Sequence, residues 1–135
     1  MIPHVPPSGL EKVWPFVEMG LNEILRRCPD SWTPRVVKQF LLENRASLFA
    51  DESGFIVTEV RVDPHSIARV LNVWCMYFRP GFGAERKLEL VEQIDRLTDY
   101  HLCETSQFIS PRSPWARAMR DFYEPHITTY RRKKK

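Results

Sequence analysis

Long apolar runs are missing from this sequence. No stretch approaches the roughly 20 apolar residues that a membrane-spanning helix needs, so a helical span is not expected. The opening segment, Met1 to Leu10, has no basic stretch followed by an apolar one, and no signal peptide is expected from it. Cysteine is scarce. Cys28, Cys75 and Cys103 are odd in number, far apart, and form no CxxC and no Cys/His pair at zinc spacing. A disulfide framework is therefore excluded, and free thiols in a reducing compartment are expected, two of them as core residues on strands. The histidines His4, His65, His101 and His126 share neither spacing nor a helix face, so no metal site is expected. Ser106, Ser110 and Ser113 have no His/Asp arrangement beside them, which leaves a serine nucleophile without support.

The body also lacks the excess of positive charge that its net +3 suggests. Five of the 20 basic residues are Arg131, Arg132, Lys133, Lys134 and Lys135, and without them 15 basic residues face 17 acidic ones. The charge argument belongs to this tail alone. Three readings of it stand side by side: a solvated end, a contact to the phosphate backbone of DNA by counterion release, or a dock on an acidic protein surface.

What is present is globular. The 135 residues are 43% hydrophobic and 12% aromatic, enough for one domain with a real core. The division expected is an extended arm over 1–9, a domain over 10–123 and a basic tail over 124–135. Pro3, Pro6 and Pro7 withhold amide donors and favour extended backbone, so the arm is expected on the surface or on a partner. From Leu10 to Arg27 the apolar residues recur every three or four positions, as a helix requires, with Pro15 expected in its first turn. Thr33-Pro34 opens a second helix as N-cap and first helical residue, with Val36, Val37, Phe40 and Leu41 as its buried face. Strands follow over 46–50, 55–62 and 68–78, separated by turns at 51–54 and 63–66. A helix is expected over 85–100 with Leu88, Val91, Ile94, Leu97 and Thr98 on one face. A strand over 102–109 and a helix over 114–122 complete the order.

The stretch from Leu71 to Leu90 is central. It runs as an aromatic-rich strand, breaks at Pro80, Gly81 and Gly83, and continues as a charged helix. A strand, a glycine turn and a helix in that order make a place where backbone N–H groups can cradle a phosphate, and they also make an ordinary α/β corner.

The order of elements, two helices, three antiparallel strands, a helix on a glycine turn, a strand and a helix, resembles the GCN5-related N-acetyltransferase (GNAT) fold over about Trp14 to Phe122. Its fold class is mixed α/β (α+β), a mostly antiparallel central sheet flanked by helices in the order ααβββαβα. The segments Ala46–Ala50, Val73–Tyr77 and Ser110–Arg117, with Arg112 and Trp115, look like the small GNAT-like proteins of tailed bacteriophages. In the enzymes a Gln/Arg-x-x-Gly-x-Gly/Ala turn binds the pyrophosphate of acetyl-CoA. Gly81-Phe82-Gly83 keeps the Gly-x-Gly core, but the basic first position falls on Phe78, Arg79 stands one place late, and Pro80 removes an amide just before Gly81. The resemblance thus implies Arg79, Gly81, Gly83 and Ala84 as cofactor contacts. It implies Glu59 as base and Tyr123 as acid if the chain is an enzyme, with Glu59 expected on a solvated sheet face. The leading expectation is a scaffold with degenerate chemistry and no cofactor. It would be made in the host cytoplasm and built into a phage virion, in the core or head-to-tail region, as one of many symmetric copies touching other virion proteins and no membrane. The alternative is an active acetyl-CoA-dependent N-acetyltransferase.

Overall fold

The structure, a computed structural model, describes residues 1–81 and 83–108, the side chains of 83–85 excepted. The expected last helix, Arg112, Trp115, Tyr123 and the tail from Arg131 to Lys135 lie outside the described residues.

The elements are β1 (His4–Val5), a 3-10 turn (Pro7–Gly9), α1 (Leu10–Arg27), α2 (Pro34–Leu42), β2 (Ser47–Asp51), β3 (Gly54–Val62), β4 (Arg69–Phe78), α3 (Gly83–Tyr100) and β5 (Thr105–Phe108). They build one five-stranded sheet in the order β1-β2-β3-β4-β5, antiparallel except for the last pair, β4 and β5, which is parallel. A parallel neighbour needs a crossover, and α3 supplies it.

Period-2 alternation sorts the sheet's two faces. Leu48, Ala50, Phe55, Val57 and Cys75 pack with Leu10, Trp14, Val17 and Leu21 of α1 and with Val37 and Leu41 of α2. Phe49, Ile56, Leu71 and Val73 pack with Leu90, Val91 and Ile94 of α3 and with Ile2. The helices thus cover both faces, which explains why β3 is buried continuously from Gly54 to Thr58.

Local details depart from expectation in places. Within residues 1–9, His4 and Val5 pair with Phe49 and Leu48 of the chain's own sheet, and the Gln93 side-chain amide accepts from the Ile2 N–H (3.0 Å) and donates to the Ile2 carbonyl (2.9 Å). An extended backbone that prolines keep from a helix is still free to add an edge strand. Pro15 lies within α1 instead of its first turn, because Leu10 already starts the helix. Val36 and Leu88 are exposed, while Val37, Leu90 and Val91 turn inward; spacing defines a helical stripe but not its edges. Thr33 does cap α2, its hydroxyl accepting from the Val36 N–H at 3.3 Å.

Candidate functional site

Two places on β4 carry the functional expectations: its C-terminal end, which turns into α3, and its middle, where it meets Glu59 and β5.

At the C-terminal end the chain runs through Arg79 and Pro80 to Gly81, whose φ is +92°, and α3 begins at Gly83. That φ lies where L side chains are strained, so the turn requires glycine. A Cβ at Gly81 would meet no described residue within 4 Å, so among the described residues the space over the turn is open. Gly83 and Ala84 supply the first backbone groups of α3, where unsatisfied N–H groups and the helix dipole favour an anion. Arg79 is only partly available. Its Nε donates to the Glu52 carbonyl (2.9 Å), its N–H donates to the Ser53 carbonyl (2.8 Å), and its guanidinium lies 4.7 Å from the centre of the Phe16 ring.

The β2–β3 turn holds this corner from below. Asp51 Oδ1 accepts from the Ser53 N–H (2.8 Å), the Ser53 hydroxyl (2.5 Å) and the Gly54 N–H (3.3 Å). Asp51 Oδ2 accepts from Arg86 on α3 at 2.6 Å. Partial burial pushes the Asp51 carboxyl up, but the bonds from Ser53 and Arg86 together outweigh it and hold the group below the ordinary aspartate value. The same bond raises Arg86.

In the middle of β4 the register with β3 shifts: Val57 faces Cys75 while Thr58 faces Val73, which makes Trp74 the extra residue of a β-bulge. Among the described residues, pairing with β5 runs from Val70 to Val73 and stops beside that bulge. The bulge turns Trp74 towards the α1/α2 face, where its ring meets Trp32 (6.2 Å) and Phe40 (5.2 Å).

Glu59 corrects an expectation. It is not on a solvated face: its side chain is 9% exposed. Its Oε1 accepts from Arg61 Nε (2.7 Å) and from the Asn72 side-chain amide (3.0 Å), and the Asn72 carbonyl oxygen accepts from Gln107 (3.4 Å). Both contacts to Glu59 fall on Oε1; Oε2 takes no hydrogen bond from a described residue. This polar line crosses β3, β4 and β5. Asn72 and Gln107 were missed in the sequence, where the only signal was a polar residue inside an apolar strand. Below it, burial foremost, with the Glu59 and Asp30 charges adding, pushes the Cys75 thiol well above its ordinary value, which suits an inert core residue.

Arg79, Gly81, Gly83 and Ala84 follow one another through the turn, with the Arg79 guanidinium on the Glu52 carbonyl and the Phe16 ring, while Glu59 stands apart. Asn72, its partner, precedes Phe78 by six residues, roughly 20 Å of strand. A ligand touching both the turn and the carboxylate would have to lie extended along β4. Among the described residues no group of His, Cys, Asp and Glu is arranged to hold a metal ion, and no helix is long and apolar enough to cross a membrane.

No protein-family model matches this sequence, and no curated protein matches it. Solved structures do. A probable acetyltransferase superimposes with a TM-score of 0.72 at 12% identity, over 100% of this chain and 98% of that one. The ribosomal-protein-alanine N-acetyltransferase of Brucella melitensis biovar Abortus 2308 gives 0.65 at 12%, over 100% and 99%. The aminoglycoside N-acetyltransferase AAC(6')-Iy, solved with CoA, gives 0.68 at 17%, over 99% and 94%. At such identities the likeness concerns the fold: this chain has the mixed α/β fold of the GNAT acetyltransferases, with its five-stranded, mostly antiparallel sheet.

Proposed function

We propose that this chain binds acetyl-CoA and acts as an N-acetyltransferase on an amine. The observation that carries the reading is the corner from β4 to α3: Gly81 at φ +92°, no described residue over it, and the first N–H groups of α3 from Gly83 on. These residues fit a pyrophosphate, with Gly81, Gly83 and Ala84 offering backbone and Arg79 its remaining guanidinium N–H groups. Bound there, acetyl-CoA supplies an acetyl group activated as a thioester.

The chain's own part is to bind, orient and take a proton. An amine acceptor is a nucleophile only when unprotonated, so a base must sit within reach of it. Glu59 is the described candidate: Arg61 and Asn72 fix its carboxylate through Oε1, and among the described residues none occupies Oε2, which would accept the proton directly or through a water. Tyr123 remains the candidate acid for the departing sulfur.

A second reading uses the same fold as a scaffold inside a tailed-phage particle, with the basic tail reaching a neighbouring protein or DNA. Pro80 and the tethered Arg79 favour it, since both reduce what the turn offers a phosphate. The test is release of free thiol from acetyl-CoA in the presence of a panel of primary amines, wild type against Glu59→Gln. Amine-dependent release that drops about a hundredfold or more in the variant supports the enzyme. No release with any amine, together with recovery of the chain in purified particles, favours the scaffold.

A further inference from the structure

The corner that forms the proposed phosphate cradle does not hold its own shape. Its strand side rests on the β2–β3 turn. A Cβ at Gly54 would stand 2.2 Å from the Tyr77 carbonyl oxygen and 2.8 Å from the Phe78 Cα, so the two backbones are in direct contact there. The Arg79 N–H reaches the Ser53 carbonyl and its Nε the Glu52 carbonyl. Its helix side is held by the same turn, through Arg86 on Asp51. One carboxylate therefore organises both halves. Asp51 Oδ1 shapes the turn that grips Arg79, and Oδ2 fixes the first turn of α3.

We infer that Asp51 is a positioning residue for the cradle, setting the distance between the end of β4 and the start of α3 at which a pyrophosphate is gripped. It touches no ligand itself, and it acts through Ser53 and Arg86. A negative side chain beside an anion site would ordinarily weaken it by repulsion. Here Arg86 neutralises that charge, and the gain is a fixed cradle instead of an extra positive group. The inference rests on the acetyl-CoA reading for its ligand, but the clamp itself is testable without one.

The experiment uses the full chain as wild type, Asp51→Asn, Arg86→Gln and the double variant. Asparagine keeps an acceptor for the Ser53 and Gly54 N–H groups and loses the charge on Arg86. Hydrogen exchange of the ligand-free proteins is read at residues 87–90, the first amides bonded within α3, with α1 as internal reference. Exchange about tenfold faster over 87–90 in each single variant, with α1 unchanged and no further increase in the double variant, is the expected result. Unchanged exchange over 87–90 overturns the clamp, and so does a uniform increase that includes α1, since the effect would then be global unfolding. Michaelis constants separate positioning from mere stability. The KM for acetyl-CoA should rise about tenfold in Asp51→Asn while that for S-acetylpantetheine, which lacks the pyrophosphate, stays put. An equal rise for both thioesters overturns the assignment. If wild type turns over neither, the acetyltransferase reading fails while the exchange result still decides the clamp.

Discussion

Gly54→Ala should be among the most damaging single-methyl changes in the chain, and the structure says how much. The backbone at Gly54 does not lie in the left-handed region, so alanine faces no torsional strain. On entropy alone the change would stabilise by about 0.4–1 kcal/mol, because alanine narrows the unfolded ensemble. The new Cβ, however, would lie 2.2 Å from the Tyr77 carbonyl oxygen, 2.5 Å from Phe78 Cδ1 and 2.8 Å from Phe78 Cα. An ordinary carbon–oxygen contact is about 3.3 Å, so the turn and the end of β4 must part by roughly 1 Å. Two of the three atoms are main chain inside a sheet and cannot rotate aside. Overpacking of this kind costs about 1–3 kcal/mol. The separation also strains the two hydrogen bonds from Arg79 to Ser53 and Glu52, each worth about 0.5–1.5 kcal/mol. The net expectation is a loss of about 3 kcal/mol, a large fraction of the 5–15 kcal/mol typical of a domain. Urea denaturation followed by tryptophan fluorescence measures it, as a lower midpoint at unchanged slope. A Gly54→Ala protein as stable as wild type would mean that the close contact between the β2–β3 turn and β4 is not as described.

Other consequences follow from the same contacts. Gln93→Leu removes the two-way bond to buried Ile2 and leaves a main-chain donor and acceptor unmatched; a loss of about 2–4 kcal/mol in urea is expected, and a loss below 0.5 would contradict the docking of the N-terminal segment. Gly81→Ala meets no clash with the described residues but must hold φ near +92°, so stability should fall by only about 1–2 kcal/mol while acetyl-CoA binding falls more steeply; equal and small effects on both would detach the turn from the ligand. Asp51 is held below its ordinary 3.8 in the folded state. Its contribution is therefore complete above about pH 4 and lost as pH falls below that. Between pH 5 and 2 the wild type should lose more stability than Asp51→Asn, and parallel curves for the two proteins would refute the assignment.

Much of the fold was legible because its signals are local. The three-and-four spacing from Leu10 to Arg27 and the Thr33-Pro34 start both specify helices through chemistry within one or two turns, and α1 and α2 appear where expected. The break at Pro80 and Gly81 likewise marks the end of β4. What was hidden depends on register and packing. His4 and Val5 are too short a strand to show alternation, and only β2 makes them one. The environment of Glu59 depends on a bulge two strands wide and on Asn72 arriving opposite it, neither of which has a spacing of its own. Gly54 reads as a turn glycine. Its close approach to β4, like that of Gly20 in α1 to Phe55, exists only once the layers are stacked. The roles of Asp51 and Arg86, 35 residues apart, belong to the same class.

The central claim is that the turn from β4 into α3 receives the pyrophosphate of acetyl-CoA. Calorimetric titration of the full chain with acetyl-CoA, repeated in the presence of excess inorganic pyrophosphate, tests it most directly. The account predicts saturable binding of one ligand per chain that pyrophosphate weakens. An absence of binding at millimolar acetyl-CoA, or binding that pyrophosphate leaves untouched, would contradict it.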